Sequence, residues 1–510
     1  MTEKTIPHTW SMASLCDLGE WRGGGTPSKL VEDYWNGNIP WVSPKDMKQD
    51  SIFDSADHIT ENAVDDSAAK LIPPDSILCV TRSGILAHTF PVAITMVPVT
   101  VNQDIKALTP SKGIHPRYLA WALRAEGREI LETCSKDGTT VNSIESSRLY
   151  AHRVPVAPQR EQLRIVAKIE GLFSELDNGI ESLRTARQQL GVYRQALLIH
   201  AFGGMLTAQW REENRDKLES GNHLIARIKS ARDAYYQARI CASNSKTNEN
   251  GTKPRQPKKF AALRAQDLGE LPTLPDSWIW EKLGWMTCGV EYGTSAKSLE
   301  RGKIPVLRMG NIQNAKFDWS DLVYTSDEDE IRKYSLREGD VLFNRTNSPE
   351  LVGKTAIYRG ERPALFAGYL IRINQLPSIV DSQYLNLFLN SHIARHHGNR
   401  VKTDGVNQSN INGEKLSNYP FPYCSLAEQR EIVQILEEKL SVVDQMVEDA
   451  NLQIQKGDAL RQSILKKAFS GKLVAQDPND EPASTLLERI RGANAEKENG
   501  KKKNKRKEAA

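Results

Sequence analysis

At 510 residues the chain exceeds what one hydrophobic core fills, so two or more domains are expected. Its 39% hydrophobic and 26% charged residues are those of an ordinary globular protein, and a net charge of +4 is too small for its sign alone to imply nucleic acid. No apolar run is long enough to span a bilayer, and the first ten residues, MTEKTIPHTW, lack the apolar core of a signal peptide. The six cysteines are scattered and none forms a CxxC pair, which argues against a zinc site and a disulfide framework and fits a reduced cytoplasm.

In chain order, residues 1–154 read as a first variable domain. Short β-rich runs such as DSILCVT (75–81) and FPVAITMVPVTV (90–101) are broken by Gly, Pro and Asn, and a helical stretch, RYLAWALRAEGREILETC (117–134), is mixed in. Residues 155–209 carry a long helix from about Glu161 to Phe202, stopped by Gly203-Gly204. Residues 210–274 hold a helical stretch (222–239) and then ASNSKTNENGTKPRQPKK (242–259), which reads as a flexible linker. Residues 275–420 are a second variable domain, with runs such as DVLFNRT (340–346) and KTAIYR (354–359). Residues 421–476 hold a second long helix, stopped by Ser470-Gly471, and 477–510 form an extension ending in the basic run KKKNKRK (501–507), read as a solvated tail. The fold class is α+β.

The second half repeats the first. YRQALLIHAFGGMLTAQ (193–209) returns as LRQSILKKAFSGKLVAQ (460–476), with nine of seventeen positions identical and no gap. At the same offset of 267, Pro155, Glu161, Gln162, Ile165, Val166 and Asp177 recur as Pro422, Glu428, Gln429, Ile432, Val433 and Asp444. Upstream the similarity weakens but keeps its order, as in GGTPSK (24–29) against YGTSAK (292–297) and IPWVSPKDM (39–47) against IPVLRMGNI (304–312).

Both long helices carry a heptad seam. Val166, Ile169, Phe173, Leu176 and Ile180 mark the first, and Val433, Leu436, Leu440, Val443 and Val447 the second, in one register. A seam of this kind wants a partner helix, and mutual pairing accounts for the shared register. Gly191 and Gly457 are expected to weaken it, and Arg187, Arg194 and Arg461 fall at nominal core positions.

Taken in this order, APQREQLRIVAKIE, LAEQREIVQILEEKL, the two copies of the helix end, and DGTTVNSI (137–144) with DGVNQSNI (404–411) resemble the specificity subunit of type I restriction-modification systems. The resemblance covers nearly the whole chain. It implies two similar α/β target recognition domains, 1–154 and 275–420, separated by two long helices that form an antiparallel coiled coil with a pseudo-two-fold internal repeat. It implies no catalytic site and no bound cofactor or metal in this chain. The implied partners are double-stranded DNA, two modification subunits that methylate adenine with S-adenosylmethionine, and restriction subunits that use ATP and Mg²⁺; no membrane is involved.

Base edges are read by Arg or Lys on guanine and by Asn or Gln on adenine, while Ser, Thr and backbone N–H groups hold phosphates. Polar loop residues at corresponding places in both halves are therefore the DNA-binding candidates. The first domain offers Lys29, Ser43, Lys45, Arg82, Ser83, Lys136, Thr139, Thr140 and Asn142. The second offers Lys297, Arg308, Asn311, Asn314, Arg345, Thr346, Asn347, Lys402, Thr403, Asn407, Gln408 and Asn410. Arg82 and Arg345 stand out alike, since each follows an apolar strand. The loops differ between the domains, so two different half-sites and an asymmetric target are expected.

Two other readings compete. A metal-dependent nuclease is suggested by Asp75 with Asp104 and Lys106, which imitate a two-carboxylate-plus-lysine site. A scaffold that binds only proteins would also use two domains and a coiled coil. HIARHH (392–397) could offer His392 and His396 to a metal, and SPELVGKT (348–355) imitates a phosphate loop without its first glycine.

Overall fold

A computed structural model of the chain describes residues 6–136, 141–245 and 256–508. Backbone contacts divide it into two compact units, residues 1–184 with 451–510, and residues 185–450. Each unit thus holds one recognition domain, part of the first long helix and part of the second.

In the first unit, Ile77–Val80 is the middle strand of five. The order is Gly19–Gly23, Ile105–Pro110, Ile77–Val80, Val92–Thr95 and Ser51–Ile52, antiparallel except for the last pair. All four side chains of Ile77–Val80 are buried, which is why ILCV reads as an unbroken apolar run rather than an alternating one. A three-stranded sheet, Asp57–Ile59, Trp35–Val42 and Thr100–Val101, packs beside it. Ser11–Ser14 pairs with Arg153–Val156 at the root of the domain.

The second unit repeats this plan. Thr287–Tyr292, Leu370–Gln375, Val341–Asn344 and Thr355–Ile357 form a four-stranded antiparallel sheet, Val323–Thr325, Ile304–Leu307 and Leu365–Phe366 a three-stranded one, and Ile279–Lys282 pairs with Pro420–Tyr423 at the root. Gly293, inside the repeated YGTSAK, is required there. A Cβ would lie 2.2 Å from the Phe366 carbonyl oxygen, so only glycine lets the two backbones meet.

The repeated Glu-Gln pair anchors each domain to its helix. Glu161 and Glu428 are buried in the first turns of the helices Gln159–Phe202 and Leu426–Ala468. Trp10 Nε1 donates to Glu161 at 3.0 Å and Trp278 Nε1 to Glu428 at 2.9 Å. The amide of Gln162 accepts from His115 N–H at 2.8 Å and donates to the Ala157 carbonyl at 2.9 Å; that of Gln429 accepts from Asp381 N–H at 2.9 Å and donates to the Cys424 carbonyl at 3.0 Å. Tyr118 and Tyr384, both fully buried, donate to the carbonyls of Pro155 and Pro422. These hydrogen bonds satisfy the Glu and Gln side chains at each joint, as burial of such polar groups requires.

Within each unit the helices run antiparallel. In the first, Val166, Ile169 and Phe173 pack with Ile464, Leu465, Ala468 and Phe469, and Arg461 pairs with Asp177. In the second, Leu197 and Phe202 share a core with Leu436 and Leu440, and Arg194 pairs with Asp444 at 2.5 Å. Arg194 and Arg461, at nominal core positions, therefore lie beside the seam and answer the repeated aspartates across it. Leu176, Ile180, Val433 and Val447 are half-buried, while Val443 is buried. Gly457 faces Ile180 across the seam, where a Cβ would lie 2.8 Å from Ile180 Cδ1. Gly191 makes no such contact within 4 Å. The seam is also not free-standing: Phe173 meets Trp121, and Phe202 meets Tyr384 and Phe388, both of the recognition domain in the same unit.

The segments left without a role by the sequence belong to the domains. The helix Gly221–Ser245 buries Leu224 and Ile228 in the core of the second unit. The helix Ala483–Glu508 buries Ala483, Leu486, Leu487 and Ile490 in the core of the first, with Leu486 against Gly113. So the start of the C-terminal extension is part of a core, and the backbone of the basic run 501–507 continues its helix. The expected flexible linker is corrected in part. Its start continues the helix to Ser245, and Lys258 is tied down, its carbonyl accepting from Arg232 at 2.6 Å.

Candidate nucleic-acid interface

In each domain one end of the middle strand meets a β-loop returning from far along the chain. In the first, Arg82 bridges Ser143, Ser83 N–H donates to the Asn142 carbonyl at 3.1 Å, and Lys136 N–H donates to the Ser143 carbonyl at 2.9 Å. Arg82, Ser83, Lys136 and Asn142 are thereby gathered into one surface. Thr139 and Thr140 lie outside the described residues. In the second domain, Thr346–Asn347 pairs with Ser409–Asn410, which pairs with Thr403–Asp404. This gathers Arg345, Thr346, Asn347, Lys402, Thr403, Asn407, Gln408 and Asn410.

The strand register separates the two arginines that the sequence ranks alike. Ser143 faces Arg82, whereas its repeat partner Asn410 faces Thr346. Arg82 thus occupies the place of Thr346, and Arg345 that of Thr81. Neighbours along a strand point to opposite faces, so the two arginines are not equivalent. Arg82 is held by Asp104 at 2.7 Å and is half exposed. Arg345 lies over the Tyr292 ring, 4.8 Å from its centroid, and its Nε has no hydrogen-bond partner among the described residues.

Several candidates are structural. Ser43 is buried and caps the turn Pro44–Asp46, donating to Asp46 at 2.9 Å. Asn311 is buried, accepts from Arg308 N–H and donates to the carbonyls of Asp318 and Asp321. Both side chains are thus committed to their own loops. Asn314 has φ of 52°, as the hairpin turn between Ile312–Gln313 and Lys316–Phe317 requires. Thr346 is buried and accepts from Asn410 at 2.7 Å. Lys402 is mostly buried, its Nζ donating to the Pro349 carbonyl, and Thr403 accepts from Lys415 Nζ at 2.5 Å. Lys45 pairs with Asp57 at 2.8 Å and Arg308 with Asp321 at 2.9 Å. Lys29, Lys136, Asn142, Lys297, Asn407 and Gln408 are exposed. Tyr292 is the residue sequence reasoning missed. It stands in the quoted YGTSAK, but its counterpart is Gly24, so nothing marked it as part of a shared surface.

The loop of the first domain springs from a buried cluster. Burial pushes the Cys134 thiol up and the His152 imidazole down, but the two stand side by side and Glu126 Oε2 lies 3.8 Å from His152 Nε2. Their pairing prevails, so the thiol falls below its usual range and the imidazole rises to about 9. A raised imidazole stabilises the fold fully below its unfolded value near 6.5, and the contribution is lost as pH rises through about 9. Thermal unfolding of the first unit should therefore occur at lower temperature as pH rises from 6.5 to 9, and His152→Ala should flatten that dependence. An unchanged slope in the variant would show that His152 is not the titrating group.

The nuclease reading fails on geometry. Val80 faces Ile105, which puts Asp104 beyond one end of Ile77–Val80, while Asp75 precedes the other end. The two carboxylates cannot share an ion. His392 and His396 stack with ring centroids 5.9 Å apart, and among the described residues no group of three or more His, Cys, Asp or Glu is placed to hold a metal. The imitation phosphate loop is followed by the strand Thr355–Ile357 and not by the helix whose N-terminus would receive a phosphate. Among the described residues, no helix is long and apolar enough to cross a membrane.

Residues 7–184 and 291–454 match the type I restriction modification DNA specificity domain. The specificity subunit of the EcoKI type I restriction enzyme from Escherichia coli K12 is 24% identical over 97% of both chains. That of EcoR124I/EcoR124II from E. coli is 41% identical over 36% of this chain and 47% of its own length, so there the chain spans about half of its relative. Among solved structures, a chain from a study of type I R-M complex assembly and conformational transition superposes with a TM-score of 0.63 at 16% identity, covering 92% of this chain and 99% of the other. The HsdS subunit of Thermoanaerobacter tengcongensis superposes at 0.52, also at 16% identity, covering 92% of this chain and 99% of its own. These structural likenesses establish the fold. Specificity subunits recognise DNA within a complex and leave catalysis to other subunits. A chain built twice over from such a domain, with each domain rooted on a long helix, belongs to the family of type I restriction-modification specificity subunits.

Proposed function

We propose that each recognition domain reads one half of a split, asymmetric site in double-stranded DNA, and that the long helices fix the distance between the halves. The observation that carries this is a single construction made twice with different side chains: strand end and returning loop at Arg82, Ser83 and Asn142, and again at Arg345, Asn347 and Gln408. Two identical modification subunits dock on the repeated helical segments, where Tyr193 and Leu460 hold equivalent, exposed positions. Those subunits methylate adenine with S-adenosylmethionine, and restriction subunits add ATP- and Mg²⁺-dependent cleavage. The setting is the cytoplasm.

The test is long-read mapping of methyladenine in a methylation-deficient host carrying this chain and its modification subunit. A new split, asymmetric motif that vanishes without this chain is expected. No motif from a fully assembled complex would favour the scaffold reading. With the motif known, Arg345→Ala should weaken or relax only the half read by the second domain, by about 1–3 kcal/mol if it contacts a base. Arg82→Ala should act only on the other half, and an effect spread over both halves would contradict the assignment.

A further inference from the structure

The second unit has a groove of about 900 Å³ beside its recognition surface. One wall is the helix Gly221–Ser245, with Tyr235 and Arg239; another is the docked segment with Lys258 and Lys259; the floor includes Lys282 and Tyr292. Arg232 fixes these walls. Its guanidinium is buried and donates to the carbonyls of Gly284, Thr287 and Lys258 at 2.8, 3.0 and 2.6 Å. Phe260 fills the space over Gly284, where a Cβ would lie 2.3 Å from its ring. The groove is therefore a built feature of the fold. Glu414 is the one carboxylate among its described lining residues, against the buried Arg232 and four further cations, Arg239, Lys258, Lys259 and Lys282. None of the three lysines has an ion-pair partner among the described residues. Such an excess of cations with phenol hydroxyls suits phosphate. The groove also continues into the recognition surface, because Tyr292 lines it, carries Arg345 on its ring, and accepts from Gly413 N–H at 2.9 Å.

We infer that this groove holds the phosphodiester backbone of DNA flanking the half-site read by residues 275–420. The inference rests on the DNA-reading function proposed above. It gives the 210–274 extension a role, that of lengthening the DNA contact of the second domain.

The test uses the full chain assembled with its modification subunit and duplexes bearing the mapped motif, trimmed stepwise on either side. Arg239→Gln, Lys258→Gln and Lys259→Gln are combined; all three residues are exposed, so folding is not at risk. The plot of log affinity against log salt should become shallower by about 2–3, roughly one for each cation lost. Trimming the flank on one side should weaken the wild-type complex and leave the variant little changed, with the methylated motif the same in both. Equal salt slopes would overturn the inference. So would an equal loss on the trimmed duplex, which would mark a general field instead of a groove contact. Stabilisation of the wild type but not the variant by ATP, with flank dependence unaltered, would assign the groove to a free nucleotide and overturn it as well. A wild-type complex with no sequence preference would instead sink the parent reading.

Discussion

Glu428→Ala is expected to destabilise the second unit by about 3–5 kcal/mol, the usual cost of removing one partner from a buried ion pair. Glu428 is 1% exposed and accepts from Arg211 Nη1 at 2.6 Å, Thr207 Oγ1 at 2.7 Å and Trp278 Nε1 at 2.9 Å. Its loss strands a mostly buried guanidinium as well as two neutral donors. Glu161, its repeat partner, accepts from the neutral donors Trp10 Nε1 and Gln476 Nε2. Glu161→Ala leaves no charge unpaired in this way and should cost less, about 1–3 kcal/mol in all. Limited proteolysis and thermal unfolding of the assembled complex would rank the two variants. Glu428→Gln, which keeps an acceptor but no charge, should fall between them. If Glu161→Ala proves the more damaging, the arginine is not what sets the cost.

Removing one heptad from both helices, residues 183–189 and 450–456, is expected to leave the two halves of the methylated motif unchanged and shorten the spacer between them. Seven residues amount to about 10 Å of helix, or up to about three base pairs at 3.4 Å each. The two deletions remove equivalent stretches of the repeat, at the offset of 267. They fall outside the pairs Asp177–Arg461 and Arg194–Asp444, which therefore survive. Deleting only one heptad should break the match between the helices and abolish methylation. An unchanged spacer in the double deletion, with activity retained, would show that the helices do not set the distance.

Much of the architecture was legible in the sequence because its signals are local or repeated. The helix spans follow from periodicity and glycine stops, which act within a turn or two. The Glu-Gln pair recurs because both side chains are consumed in the joint between domain and helix, where a change would leave buried polar groups unpartnered. Asp177 and Asp444 recur because each answers an arginine that the heptad pattern had placed, misleadingly, at a core position.

The recognition surface was legible only as a neighbourhood. The same loops were named, but the role of each side chain depends on backbone pairing that leaves no trace in one sequence. Ser43 and Asn311 look like ordinary polar loop residues; burial and their own turns make them caps. Tyr292 became part of the site through the ring of contacts around Arg345.

By itself, then, the sequence determined the duplication, the two long helices, the α+β domains and the family, since each rests on short-range patterning repeated at a fixed offset. Tertiary structure decided which strand face each arginine occupies, because a shift of one residue in strand register exchanges the two faces. It also decided that Gly457 faces Ile180 across the seam and that Leu486 completes a core begun hundreds of residues earlier. Those outcomes depend on which distant surfaces exclude water together, and no local pattern records that.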